Sequence, residues 1–174
     1  AYIYAYWSEP DSCLHELGAD APAVKTLLRD MEQQIECALN QIRNKTDVLI
    51  TADHGHTDIE SLFIDDVPEL LECLLHPLSL ESRCVSMFVK PECLAEFPGL
   101  FNKHFGKWFK LVTKSEFEKQ YLHAEYPVRF IGDFVALATD KYDLKQRPDT
   151  IVLKSHHAGI TPDELEIPII KISI

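Results

Sequence analysis

The 174 residues, 46% of them apolar and 26% charged, are enough for one ordinary domain with a sizeable core. A net charge of −11 argues against a basic surface that would grip a nucleic-acid polymer. The apolar stretches are short and interrupted, which excludes a membrane-spanning helix of about 20 residues, and no signal peptide or low-complexity tract is visible.

In chain order, residues 1–7 (AYIYAYW) read as a buried strand rich in aromatics, and residues 8–20 as a loop. The run opens on Ala1 without a methionine, so an N-terminal part of a longer protein is expected to precede it. Val24, Leu27, Leu28, Met31, Ile35, Leu39 and Ile42 keep to one face at helical spacing, which predicts a helix from Pro22 to Arg43. Residues 47–51 (DVLIT) form the next strand. Strand, helix and strand make a βαβ unit with parallel pairing.

Further on, Val67 to Leu75 suggests a short helix stopped by Pro77, and residues 84–89 a strand. A helix begins near Pro91 and is disturbed at Pro98-Gly99. Residues 108–112 and 133–138 read as strands, with a helix over 114–122. Thr161-Pro162-Asp163-Glu164 is a helix start with proline at its first position, and residues 168–174 close the chain as a strand. The whole reads as α/β, a mostly parallel sheet with helices on both faces and some antiparallel pieces.

Three segments carry the chemistry. Asp11 and His15, four apart, face the same way if the chain turns helically after Asp11. Asp53-His54-Gly55 follows an apolar strand, and Gly55 lets the backbone turn sharply there. Both motifs sit past the carboxyl end of a strand, where α/β sheets gather ligands. His156 and His157 are adjacent, so one of the two is expected to point into a site. Oxygen and nitrogen donors from three separate segments are what a divalent cation needs.

Read alone, each fragment has a plain explanation: a Pro-Asp turn, a strand end, a surface histidine. His56 and Asp58 could orient a ligand or face solvent, with solvent favoured for Asp58. His76 and His104 are explained by helix ends and His123 by a surface loop. His15-Glu16 opens like a zinc-protease helix, but residue 19 is Ala19 and not the second histidine. Cys13, Cys37, Cys73, Cys84 and Cys93 are odd in number and form no CxxC, so a disulfide framework is not expected and a reducing cytoplasm is. On a turn, the Cys13 thiol faces away from the candidate ligands.

The combination resembles the alkaline phosphatase superfamily, in its type I phosphodiesterase and nucleotide pyrophosphatase branch. The PDxxxHxxG motif stands as Pro10 to Gly18, TADHG as Thr51 to Gly55, and HGG-TPEE-VPxI as His157-Ala158-Gly159, Thr161 to Glu164 and Ile167 to Ile170. Such a likeness implies two divalent cations, zinc with manganese the alternative. It makes Asp11, His15 and His157 ligands of one cation, and Asp53 and His54 ligands of the other. It also implies a Thr or Ser nucleophile and a further Asp upstream of the first motif.

On that basis residues 1–174 are expected to be the C-terminal portion of one alkaline phosphatase-like domain. Residues 58–150 would be an insertion forming the substrate entrance. The expected activity is hydrolysis of a small phosphodiester or nucleotide pyrophosphate, with the isolated chain inactive. The rivals are a phosphomutase or sulfatase-like member of the superfamily and a non-catalytic metal module. Ala158 replaces the usual glycine, which is harmless if its φ is negative, and His56 stands where methionine is common.

Overall fold

The computed structural model describes residues 1–122, 128–148 and 151–174; His123 lies outside the described residues. In chain order the elements are α1 (Glu9–Leu17), α2 (Pro22–Leu39), β1 (Asp47–Thr51), β2 (Thr57–Asp58), β3 (Glu60–Phe63), α3 (Pro68–Glu72), β4 (Ser79–Glu81), β5 (Cys84–Met87), α4 (Phe97–Phe105), β6 (Phe109–Thr113), α5 (Lys114–Phe117), β7 (Phe134–Ala138), β8 (Tyr142–Lys145), β9 (Ser155–His156), α6 (Pro162–Leu165) and β10 (Ile169–Ser173). They form two compact units: Ala1–Asp58 with Val152–His157 and Pro162–Ile174, and Ile59–Ile151 with Ala158–Thr161.

In the first unit the segment expected as a loop folds as α1. Pro10 sits in its first turn, where its missing N–H is not needed, and Glu9 and Asp11 complement the helix dipole. The helix stops at Gly18, whose φ of +91° suits glycine. Asp58 is exposed, as expected, and its Oδ1 also accepts the Ala19 N–H at 2.7 Å. Helix α2 ends at Leu39 rather than Arg43, because Gln41 and Ile42 donate to carbonyls three residues back and tighten the chain out of the α-helix. Of the residues in α2, Val24 alone is buried, so its apolar stripe lies largely open.

The expected βαβ unit is not formed. β1 pairs antiparallel with β10, in the register Asp47↔Ser173 to Thr51↔Ile169. Residues 1–7 are not a buried strand: Tyr2, Ile3, Tyr4 and Tyr6 are exposed and no described segment pairs with them. β-propensity makes a strand only where a ladder partner takes up the backbone groups.

The second unit is built on an antiparallel sheet in the order β4-β5-β7-β6. β7 is buried along its whole length. Phe97, Phe101 and Phe105 recur every fourth residue of α4 and join Ile64, Leu70, Met87 and Phe134 in the core. Each such buried side chain stabilises by roughly 1.5–3 kcal/mol. Pro98 lies in the first turn of α4, so it starts this helix rather than disturbing one. Thr113 and Glu116 form a capping box that opens α5. β8 pairs parallel with β3, the one parallel pairing among the described residues. No helix of the described residues is long and apolar enough to cross a membrane.

Ala158 has φ +81°, contrary to the negative φ that would make it a neutral replacement for glycine. That conformation costs an L-residue about 1–2 kcal/mol. Ala158→Gly is therefore expected to raise stability by roughly 0.5–1 kcal/mol once the greater unfolded freedom of glycine is subtracted. Urea melts of both proteins check this, and an unchanged midpoint would mean that the strain is not felt.

Candidate metal centre

The candidate site lies wholly in the first unit. α1 places Asp11 and His15 on one face, with His15 Nε2 3.3 Å from Asp11 Oδ1. Thus the motif follows no strand, and a helix supplies its geometry. The stretch after β1 brings His54 Nε2 to 3.9 Å and His56 Nε2 to 2.9 Å from the same oxygen. The residue after β9 adds His157, with Nε2 at 3.7 Å. His54 and His157 stack, ring centroids 3.7 Å apart and planes 19° apart. Asp53 is at the rim: 67% of its side chain is exposed and its Oδ1 is 3.7 Å from His54 Nε2.

Gly55 makes this convergence possible, but by lack of bulk and not by a special φ. A Cβ there would lie 1.9 Å from the Asp163 carbonyl oxygen, and its N–H donates to Glu164 O at 2.9 Å. Helix α6 is thereby drawn directly against the DHG turn.

The outer nitrogens decide what the cluster can bind. A ring N–H facing a carbonyl must donate to it, so His15 Nδ1 donates to Ser155 O at 2.9 Å and His54 Nδ1 to Gly55 O at 3.1 Å. Ser155 Oγ donates to Leu14 O at 2.8 Å, so it accepts from His56 Nδ1 at 3.1 Å. In their neutral forms His15, His54 and His56 therefore all turn a bare Nε2 lone pair toward the Asp11 carboxylate. Acceptors facing acceptors repel, and a cation at the centre relieves the conflict. The donor set, imidazole nitrogens with a carboxylate oxygen, fits a borderline divalent ion such as zinc.

The pKa shifts of two imidazoles fit a buried, neutral cluster, whereas that of Asp11 shows its carboxylate favoured by the His56 contact. His157 is pushed down to about 4 by burial and then by the nearby His54 and His56. Burial also lowers His56, against the pull of Asp11, and 4% of its side chain is exposed. Burial works to raise Asp11, but the His56 contact and the surrounding imidazoles outweigh it and hold the carboxyl low.

His157 binds its proton more weakly folded than unfolded. Between its ordinary value of 6.5 and about 4 the unfolded chain takes up a proton that the native state refuses. The metal-free protein is expected to lose stability as pH falls through that window and to level off below it. Melting in chelator from pH 7 to 4 measures this, and His157→Gln should flatten the slope.

Of the sequence candidates, Asp11, His15, His54 and His157 are brought together, with Asp53 beside His54. Two residues with open or no roles join them. His56 bridges Asp11 and Ser155, and Ser155 ties β9 to α1 through Leu14 O. Its place directly before the two histidines was the signal for Ser155. His156 is buried, and its Nδ1 accepts the His157 N–H at 2.9 Å, so that lone pair is used. His15, His156 and His157 still lie close enough together for a shared ion. In the second unit His104 packs near Glu69 and Phe105, and His76 packs against Phe88.

Comparison with known proteins places this geometry. The family model for type I phosphodiesterase / nucleotide pyrophosphatase matches residues 1–158. Human ectonucleotide pyrophosphatase/phosphodiesterase family member 5 is 23% identical over 158 residues, 87% of this chain and 32% of its own length. Its solved structure superposes with TM-score 0.72 at 19% identity, over 95% of this chain and 45% of that one. An inactive variant of the murine family member 5, solved in complex with AMP, gives TM-score 0.69 at 18% identity, over 94% and 45%. Phosphonoacetate hydrolase from Sinorhizobium meliloti, solved with phosphonoformate, gives 0.68 at 16%, over 92% and 43%. The chain thus spans about a third of the curated relative and under half of the solved ones.

Proposed function

The chain belongs to the type I phosphodiesterase / nucleotide pyrophosphatase family, and from that premise we propose that it carries most of a two-cation centre for phosphate-ester hydrolysis. Asp11, His15 and His157 hold one cation, and Asp53 and His54 the other; zinc is the favoured metal and manganese the alternative. The carrying observation is the convergence of ring nitrogens of His15, His54, His56 and His157 on the Asp11 carboxylate, with Asp53 at the rim beside His54 supporting the second cation. When bound, the cations would withdraw charge from the phosphoryl oxygens and from the attacking and leaving oxygens.

The chain's own groups have definite tasks. The Ser155 carbonyl fixes the His15 tautomer, and the Gly55 carbonyl fixes that of His54. His56, held through Nδ1 by the Ser155 hydroxyl, presents its Nε2 beside Asp11. Ser155 is not a nucleophile, because its proton is held by Leu14 O and its lone pair by His56. The Thr or Ser nucleophile is assigned to no residue of this chain, and the 174 residues alone are proposed to bind cations without turnover.

In the longer protein β1 joins the mostly parallel sheet of the family. The second unit is the inserted substrate entrance, and the substrate is a small phosphodiester or a nucleotide, in line with the AMP held by the murine relative. A reducing compartment is part of the proposal, resting on the odd number and wide spacing of the cysteines.

The test is hydrolysis of bis(p-nitrophenyl) phosphate with zinc or manganese by this chain and by the longer protein. Activity confined to the longer protein supports the reading, and robust turnover by the 174 residues overturns the absence of a nucleophile. A panel of diesters, monoesters and sulfates sets the substrate class. Cation binding with no ester cleaved by the longer protein would leave a non-catalytic metal module.

A further inference from the structure

The second unit holds another cluster of donors, remote in sequence from the histidines. Cys73 caps α3 and is buried; Cys93 ends a short 3₁₀ turn and is half-buried; Glu96 precedes α4 and is exposed. Donor atoms of all three lie within 4.8 Å of one another. The scaffold holding them is backbone. Lys90 N–H donates to Cys73 O at 2.8 Å, Cys93 N–H to Lys90 O at 2.9 Å, and Glu96 N–H to Cys93 O at 3.1 Å. The bridge between Leu74 and Val89 fixes the two segments side by side.

We propose that Cys73, Cys93 and Glu96 form a second, thiolate-based site for a thiophilic divalent cation such as zinc, independent of the histidine centre. Two sulfurs and a carboxylate suit a tetrahedral ion with its fourth position open to water on the exposed Glu96 side. Binding takes both sulfurs as thiolates and releases two protons to solvent. Without an ion Cys73 is held as a thiol: burial pushes it up to about 12, and the neighbouring Cys93 adds to the shift. Its role is structural, joining the end of α3 to the start of α4 behind the core phenylalanines.

Cadmium is the probe, because its thiolate charge-transfer absorption is silent for the nitrogen and oxygen donors of the histidine centre. The full chain is titrated with cadmium under a phosphine reductant. The expected result is a band of two-thiolate amplitude that falls by half or more in Cys93→Ser and is unchanged in Cys37→Ser. Glu96→Gln is expected to keep the band and weaken binding by about tenfold. Cys93, half-buried, is the safer variant; circular dichroism confirms its fold. No band in the wild type, or a band undiminished in Cys93→Ser, overturns the site. So does a pair recovered as a disulfide that shows no band after reduction.

Discussion

Asp11→Asn is expected to lower the affinity of the chain for zinc by at least 10–100-fold, while leaving the metal-free protein as stable as before or more so. The first half follows from charge. Asp11 Oδ1 is the oxygen toward which His15, His54, His56 and His157 all turn a ring nitrogen. Loss of a partner that merely orients a ligand typically costs that factor, and loss of a direct carboxylate ligand costs no less. The second half follows from donor count. An asparagine amide supplies N–H groups, and a nitrogen placed 2.9 Å from His56 Nε2 would donate to the lone pair that now faces a carboxylate. Calorimetric titration with zinc and thermal melting in chelator separate the two effects. A large loss of metal-free stability would show that Asp11 is a structural anchor rather than part of a strained cation cradle.

Gly55→Ala is expected to destabilise the chain by at least about 3 kcal/mol and to loosen cation binding with it. The methyl group would sit 1.9 Å from a backbone oxygen of α6, which has no rotamer to escape into. Relief requires the DHG turn and α6 to part, which also opens the Gly55 to Glu164 hydrogen bond. Because His54 is held by the Gly55 carbonyl, its ring moves with the turn. Urea denaturation reads the stability, and zinc titration at a urea concentration where both proteins stay folded reads the site. A loss below 1 kcal/mol would mean that the close approach is readily relaxed.

The site was legible in the sequence to the extent that local spacing defines it. Asp11 and His15 at a four-residue interval behind a proline describe a helix face, whatever precedes them. Asp53-His54-Gly55 after an apolar run describes a strand end. What could not be read were features set across long separations. His56 gains its role from Asp11 and Ser155, 45 and 99 residues away.

The same limit governs the fold. β1 looked like the partner of residues 1–7 because both are apolar and near in sequence, yet its ladder runs to β10. β8 was not predicted: Asp143 and Lys145 interrupt its apolar pattern, yet both are buried, with Lys145 Nζ 3.5 Å from Asp143 Oδ2. β7 was legible as an unbroken apolar run, whereas α4 reads as starting near Pro91 instead of at Phe97, and Pro98 changed meaning once its true start was known.

The histidine centre draws its donors from α1 and from the segment around β9, 140 residues apart along the chain. An ion held there acts as a removable staple. It closes a very long loop that the denatured chain leaves open, and its binding energy goes to the native state alone. Such an ion cannot guide early collapse, because its ligands meet only after the rest of the first unit is assembled. It can, however, slow the reverse process, so loss of metal should shorten the lifetime of the folded chain more than it slows refolding.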